Sequence, residues 1–500
     1  MTDIQNLYRR FARARRARDV WEPVWQECYE YALPQRESSF NPTRSPIGHL
    51  FDGTAPDCVD QLAAVILSEM TPPWMRWFRL TAGTDLNGLP DEKLATDLDL
   101  MSEMLQTHLD RSNFATEVHQ CYFDLITAGT ACLLFEEAPV GAASAFHFTA
   151  IPLSEVYLTE GPGGRLDTTF RQSRLDLETV QARFPNAVLS VSEDTDAPVD
   201  VIEAVVPEAR GGYRYVAFIN PDSQHDSQNG TEQVLKEAFY DTSPFISFRW
   251  LKAPGEAYGR SPVMKTLPDI KTANKVVELI LKNASVSVTG IWLAEDDGVL
   301  NPANIRLTPG AIIPKAVGSK GLTPLEAPGK FDVSQLMIED LRKRIQHALL
   351  GDRLGNITAP NMTATEVLER SDEMIRILGA TYGRLQSELL TPLIDRALSL
   401  LRRRGEIPDL FLDGRLVKVA YKSTRAERQA QLDADKALLW LTSVSKMGQD
   451  GLNHVDIGAF VRWLGDKLGV PETVLRLMPE SVVSPVPAVA ASVGETKAVP

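Results

Sequence analysis

The stretch SPVMKTLPDIKTANKVVELILKNA, Ser261–Ala284, decides how the rest of the chain is read. Ser261 is suited to cap a helix, and Pro262 fits its first turn, where a missing N–H costs no hydrogen bond. Pro268 either kinks that helix or restarts it, and Val277, Ile280, Leu281 and Ala284 continue an apolar stripe toward residue 289. A Pro- and Gly-rich insert follows over 290–330. It holds two short apolar runs, GIWLAEDDG and GAIIPKAVG, and its size suits a small β-containing projection. A second helix is expected over about Val333–Leu350, with Ile338, Leu341, Ile345 and Leu349 on one face. GDRLGNITAPN, from Gly351, then breaks the pattern.

After this break Thr363-Ala364-Thr365-Glu366 forms a capping-box sequence. Apolar or small residues recur every three or four positions from 367 to 400, so the spacing predicts one helix over 363–404, roughly 60 Å long at 1.5 Å per residue. Pro392 should bend it. Arg402, Arg403 and Arg404 complement its C-terminal dipole and Gly405 stops it. A strand, RLVKVAYKS, comes next, then helices at about 425–446 and 454–468. A Pro/Ala/Val-rich end, 476–500, is expected to be disordered.

Toward the N-terminus, Arg9–Tyr31 reads as helical, with Phe11, Val20, Val24 and Cys28 as its apolar positions. The arginines at 9, 10, 13, 15, 16 and 18 lie on its other faces, to be read as a solvated or subunit-facing surface or as a DNA contact. A helix after FDGTAP carries Val59, Leu62, Ile66 and Met70, and Pro72-Pro73 end it. In the following WMRWFRL, the rings of Trp74, Trp77 and Phe78 are expected to pack the helix onto a sheet, leaving Arg76 and Arg79 facing outward. From about Cys132 to Leu251, short alternating runs indicate antiparallel strands, with Arg210-Gly211-Gly212 as a hairpin turn. The fold class is therefore α+β.

Five hundred residues imply two to four domains or lobes, and 44% hydrophobic with 24% charged residues is ordinary for a globular chain. No apolar run reaches the ~18 residues of a membrane span, so no membrane association is expected. Cys28, Cys58, Cys121 and Cys132 form no CxxC pair and read as buried thiols in a reducing compartment. The histidines form no HExxH motif, so no metal is expected. The only Gly-Lys pair, Gly329-Lys330, precedes Phe331, so no Walker A phosphate cradle exists. Neither a catalytic motif nor a cofactor site is found, and the expectation is of a protein that is not an enzyme. A net charge of −14 argues against a protein that simply grips DNA, because counterion release rewards basic surfaces.

Four blocks carry a resemblance: WEPVWQECYEYALP, the segment Asp52–Leu80 ending in TPPWMRWFRL, YGRSPVMKTLPDIKTANK, and MTATEVLERSDEMIRILGATYGRLQSELLTPLIDRAL. In this order, over about Leu7–Tyr421, the chain resembles the head-to-tail connector (portal) proteins of short-tailed, T7-like bacteriophages. The resemblance implies a homo-oligomeric ring of twelve copies at one capsid vertex of the virion, assembled in the bacterial host cytoplasm. The ring would be the channel for packaging and ejecting double-stranded DNA. In this sequence the α/β wing would be 1–260 plus the strand at 405–424. The two-helix stem would be 261–289 and 331–350, the clip 290–330, the tunnel loop 351–362, the long kinked helix 363–404 and the helical crown 425–475. Beyond about residue 425 no motif supports the match. Implied partners are the major capsid protein, scaffolding protein, terminase, and tail adaptor and nozzle proteins. The alternatives are a capsid or tail structural protein without a channel and a DNA-processing enzyme.

A channel for DNA should make few, weak, interchangeable phosphate contacts. Twelve copies would together carry about −170, much of it expected along the channel or clip. Candidate basic touchpoints are Lys271, Lys275 and Lys282 on the first stem helix and Arg342, Lys343 and Arg344 on the second, although each taken singly reads more readily as a side chain in an inter-subunit salt bridge or on a solvated face. Gly351, Asp352, Arg353, Leu354, Gly355 and Asn356 begin the tunnel loop, expected to project into the bore or else to be a simple turn. Glu295, Asp296, Asp297, Asn301 and Arg306 are the candidate docking residues of the clip; the acidic triplet by itself reads as a solvated turn.

Overall fold

A computed structural model describes residues 3–34, 50–82, 92–187, 198–220, 234–289, 292–294, 322–324, 331–351, 379, 381–407, 417–421, 424–446, 455–468 and 470. The N-terminal helical stretch is two helices, α1 (Asp3–Arg18) and α2 (Glu22–Ala32). Pro23 sits in the first turn of α2 and restarts the helix in a new phase, so Trp25, Cys28, Tyr29 and Ala32 are buried. Val20 and Val24, expected in the apolar stripe, are instead exposed, Val20 by 78%. Helix α3 (Thr54–Met70) buries Val59, Leu62, Ile66 and Met70, as their spacing requires, and stops at Thr71, before Pro72-Pro73.

The strand after the prolines is β1 (Phe78–Ala82). Helices α4 (Glu92–Asp110) and α5 (Phe114–Ala128) follow. Next come β2 (Thr130–Glu137), β3 (Phe146–Ile151), β4 (Val156–Glu160), β5 (Leu166–Leu175), the short α6 (Leu177–Arg183), β6 (Val199–Pro207), β7 (Tyr213–Ile219), β8 (Val234–Tyr240) and β9 (Phe245–Arg249). They form two antiparallel sheets, of order β3-β2-β9 and β4-β5-β6-β7-β8. In β6 the side chains alternate between faces: Val201 and Val205 face one core, while Ile202, Ala204 and Val206 face another that α1 covers with Leu7, Phe11 and Ala14. The β6–β7 hairpin turns on Gly211 and Gly212, both at positive φ; a Cβ on Gly212 would meet the Tyr240 carbonyl oxygen at 2.8 Å.

Helix α7 (Pro262–Thr289) runs unbroken through Pro268. Ser261 caps it: its Oγ accepts from the Met264 N–H at 2.8 Å and donates to the Thr127 carbonyl at 2.8 Å. Short strands β10 (Trp292–Ala294) and β11 (Leu322–Pro324) pair antiparallel. Helix α8 (Phe331–Ala348) then packs against α7, burying Ile338, Leu341 and Ile345, with Leu349 buried just beyond its end.

Of the long helix expected over 363–404, the described part is residue 379 and residues 381–404. Its buried face is Leu385, Leu389, Leu393, Ala397 and Leu400, and residues 363–378 lie outside the described residues. A wide, five-residue turn, Gln386–Leu390, precedes α9 (Thr391–Arg403). Pro392 has no N–H to continue the ordinary ladder. The Thr391 N–H bonds instead to the Gln386 carbonyl five residues back, and the Thr391 hydroxyl donates to the same oxygen at 2.9 Å. Strand β12 (Val417–Tyr421) returns to pair with β1, Phe78 opposite Tyr421. Helices α10 (Thr424–Ser445) and α11 (Ile457–Leu468) pack on each other. The architecture is α+β.

One aromatic expectation is corrected here. Trp77 and Phe78 are buried against α4, α5 and their neighbours, but Trp74 is 69% exposed, because it stands in the turn before β1 rather than on the strand. Arg79 does not face outward freely either: it forms a two-pronged pair with Asp99 at 2.6 and 2.7 Å. Arg76 reaches the same carboxylate at 3.6 Å.

Candidate nucleic-acid interface

The six stem cations lie on two packed helices, and five of them have a carboxylate partner. Glu278, one turn from each, accepts from both Lys275 at 2.9 Å and Lys282 at 2.5 Å. These two bonds hold its carboxyl down at about 2. Lys271 reaches across to Glu27 of α2 at 3.0 Å, and that bond raises the ammonium above its ordinary value. Arg344 lies 3.4 Å from Asp340 and 3.9 Å from Asp269. Lys343 is exposed and makes no ion pair with any described residue.

Arg342 is used differently. It pairs at 2.8 Å with the buried Asp52, which also accepts from the Thr54 N–H at 3.0 Å. Burial alone would raise the Asp52 carboxyl, but the bonds from Thr54 and Arg342 win and hold it below its usual range. The Phe51 and Asp52 N–H groups in turn donate to Asn274 Oδ1 on α7, at 2.6 and 3.1 Å. The segment before α3 is thereby tied to both stem helices. Arg342 is thus held in a structural latch through the buried Asp52, although its own side chain is exposed, as are those of Lys275, Lys282, Lys343 and Arg344. The sequence signal for the latch is the Asp two residues ahead of Thr54, a position from which a carboxylate accepts the first helical N–H.

Gly351 closes α8 against α3, where a Cβ would meet Cys58 Sγ at 2.7 Å. Asp352, Arg353, Leu354, Gly355 and Asn356 of the expected tunnel loop lie outside the described residues. So do Glu295, Asp296, Asp297, Asn301 and Arg306.

Two further arginines lock the long helix onto the sheets. Arg249, at the end of β9, is fully buried and binds Glu388 of the wide turn at 2.6 Å. Arg396, also buried, donates to the carbonyls of Phe135 (2.6 Å) and Thr242 (2.8 Å), and burial lowers its guanidinium to about 10. Both were legible as charges at apolar-stripe positions: Arg249 in FISFRWL, and Arg396 between Leu393 and Leu400.

On the same helix, burial pushes the half-buried Asp395 carboxyl up to about 6, against the pull of Arg165. The folded form therefore binds the proton more tightly than the unfolded chain does. Stability falls as pH rises from about 4 through about 6, and the penalty is complete above that. Asp395→Asn should stabilise the protein by about 2 kcal/mol at pH 8 after allowing for screening, and by nothing at pH 3.5. Urea midpoints at the two pH values check this; an equal shift at both would show that the titration is not the cause.

Among the described residues no group of three or more His, Cys, Asp or Glu side chains could hold a metal ion. The described cysteines are all buried thiols that form no disulfide, and burial raises those of Cys28 and Cys132 to about 12. No helix among the described residues is long and apolar enough to cross a membrane.

The sequence is similar to those of known proteins. The "Probable portal protein" of Bordetella phage BPP-1 is 25% identical over 95% of this chain and 89% of its own length. The "Portal protein" of Escherichia phage T7 is 22% identical over 80% of this chain and 75% of its own. Among solved structures, a chain from the "Neck of empty GTA particle computed with C6 symmetry" overlaps 87% of this chain and 94% of its own, at 10% identity and a TM-score of 0.41, a likeness too loose to bear on function. Residues 5–475 match the sequence pattern described as "Bacteriophage head to tail connecting protein", and the chain belongs to that family.

Proposed function

We propose that this chain is a phage portal: twelve copies form a ring at one capsid vertex, and its bore passes double-stranded DNA during packaging and ejection. The observation that carries this is the family match over residues 5–475, in a chain whose relatives are named portal proteins. The wing would face the major capsid and scaffolding proteins. The clip, 290–330, would dock the terminase that supplies the energy of packaging, and later the tail adaptor and nozzle proteins. Assembly would take place in the host cytoplasm.

The paired stem cations suit such a bore. A phosphate can borrow Lys275 or Lys282 only by competing with Glu278, so each contact is weak and quickly returned. Sequence-specific contacts would stall the duplex; exchangeable ones let it slide.

Negative-stain images of the purified protein should show twelve-fold rings with a central hole. Deleting 290–330 should leave rings that form but neither package DNA nor join tails. Solid assemblies without a hole would favour a capsid or tail structural protein, and packaging by clip-less rings would remove the clip from docking.

A further inference from the structure

The stem cations are largely neutralised within the chain; helix α1 carries a second basic surface, on which Arg13 and Arg16 are not. Helix α1 holds six arginines and one acidic residue, Asp3, in a chain of net charge −14. Two of the six are used inward. Arg18 is buried, donates to the Val156 carbonyl at 3.0 Å and lies over the Tyr157 ring at 4.4 Å. Arg10 donates to the Thr168 hydroxyl at 3.2 Å.

Leu7, Phe11 and Ala14 seat the helix on the five-stranded sheet. At 100° per residue, Arg9, Arg13 and Arg16 fall within about 60° of one another on the opposite side, spread over about 10 Å of helix, and all three are exposed. Arg13 and Arg16 make no ion pair with any described residue. Like charges at i,i+3 destabilise an isolated helix, so Arg13-Arg16 is a cost to folding that an external anion would offset.

We propose that this face of α1 binds the phosphate backbone of duplex DNA, without sequence preference, as a contact separate from the stem cations. This rests on reading the chain as a protein that handles duplex DNA. The composition of the face favours phosphate over an acidic protein surface. Protein interfaces take most of their energy from buried aromatic and apolar anchors. Between Gln5 and Ala17 the exposed side chains are glutamine, asparagine, arginine and alanine only, and Tyr8, the nearest ring, is half-buried and packed on Phe11. Within α1 a linear row of guanidinium groups with no apolar anchor matches a regular row of phosphates, and the exposed Val20 and Val24 lie beyond the end of that helix.

The test is fluorescence anisotropy of a labelled random-sequence duplex with the full-length assembled protein, over a salt series. Arg9→Gln/Arg13→Gln/Arg16→Gln should lower the slope of log K against log salt by about 2.7, at roughly 0.9 per phosphate neutralised. Arg→Lys at the same three positions should keep most of that slope. A control with equal charge loss at exposed sites elsewhere, Lys236→Gln/Lys436→Gln/Lys446→Gln, should leave it unchanged. A wild-type slope in the Arg→Gln protein, or the same loss in the control, overturns the proposal. So does polyglutamate that displaces the duplex at equal charge, which would make an acidic protein surface the occupant. If the DNA binding behaves as expected but the chain cannot support packaging in a complementing infection, the portal reading fails and the α1 contact stands.

Discussion

Glu388→Ala should destabilise the protein by about 3–5 kcal/mol, the cost of stranding a buried charge. Arg249 is 0% exposed, and its guanidinium meets both Glu388 oxygens at 2.6–3.3 Å. Its own N–H donates to the same carboxylate at 3.0 Å. What remains after the substitution is Glu160 at 3.8 Å and the carbonyls of Ala257 and Gly164. Glu160 is already held by Lys252, so it is a poor substitute. A melting temperature about 3–5 °C lower is expected for a chain of 500 residues, with ring assembly impaired at 37 °C. Replacing both partners by apolar residues, Arg249→Met with Glu388→Leu, should recover most of the loss, because the desolvation cost of two charges goes with them. An unchanged melting temperature for Glu388→Ala would show that the remaining acceptors suffice, and that the wide turn is not pinned by this pair.

The second large effect is expected at Gly129→Ala. Gly129 ends α5 at φ +79°, and a Cβ there would lie 2.5 Å from the Gly259 oxygen and 2.7 Å from the Ser261 nitrogen. Gly259 is equally constrained, its own Cβ position lying 2.1 Å from the Gly129 oxygen. Two backbones cross here with no room for a side chain, at the point where α7 leaves the sheets. Neither backbone can yield without breaking the bond from Trp250 N–H to the Gly129 carbonyl, 2.9 Å, or the Ser261 cap. The substitution should cost several kcal/mol and yield mostly insoluble protein, measured as the soluble fraction after expression. Gly405→Ala is the control. It shares the positive φ, +74°, but has open space around it, so its cost should stay near 1 kcal/mol. Equal losses at the two sites would make the dihedral, not the crossing, responsible.

The elements legible in the sequence were those whose signal is local. Periodic Val59, Leu62, Ile66 and Met70 produced α3, and Ser261-Pro262 produced the start of α7, because helix spacing and capping act within one or two turns. Expectations failed where a local rule met a distant partner or a break in phase. Val20 and Val24 were misplaced because Pro23 resets the helix. Trp74 was placed in the core with Trp77, although the turn between them sends the two rings to different environments. The stem cations were legible as positive charges, but not their partners. Asp52 lies 290 residues from Arg342, and Glu27 lies 244 from Lys271.

By itself the sequence determined the succession of the helices α7, α8 and α9, and the four blocks that place the chain in its family. Periodicity, caps and prolines are properties of neighbouring residues, so they need no fold to be read. Tertiary structure alone decided that the strand after TPPWMR pairs with β12, some 340 residues on. It also decided that Glu388 faces Arg249, that Arg342 closes a latch, and that Arg9, Arg13 and Arg16 are left outward. Each of these depends on which surfaces remain once the cores are closed, and burial, unlike spacing, is a property of the whole chain.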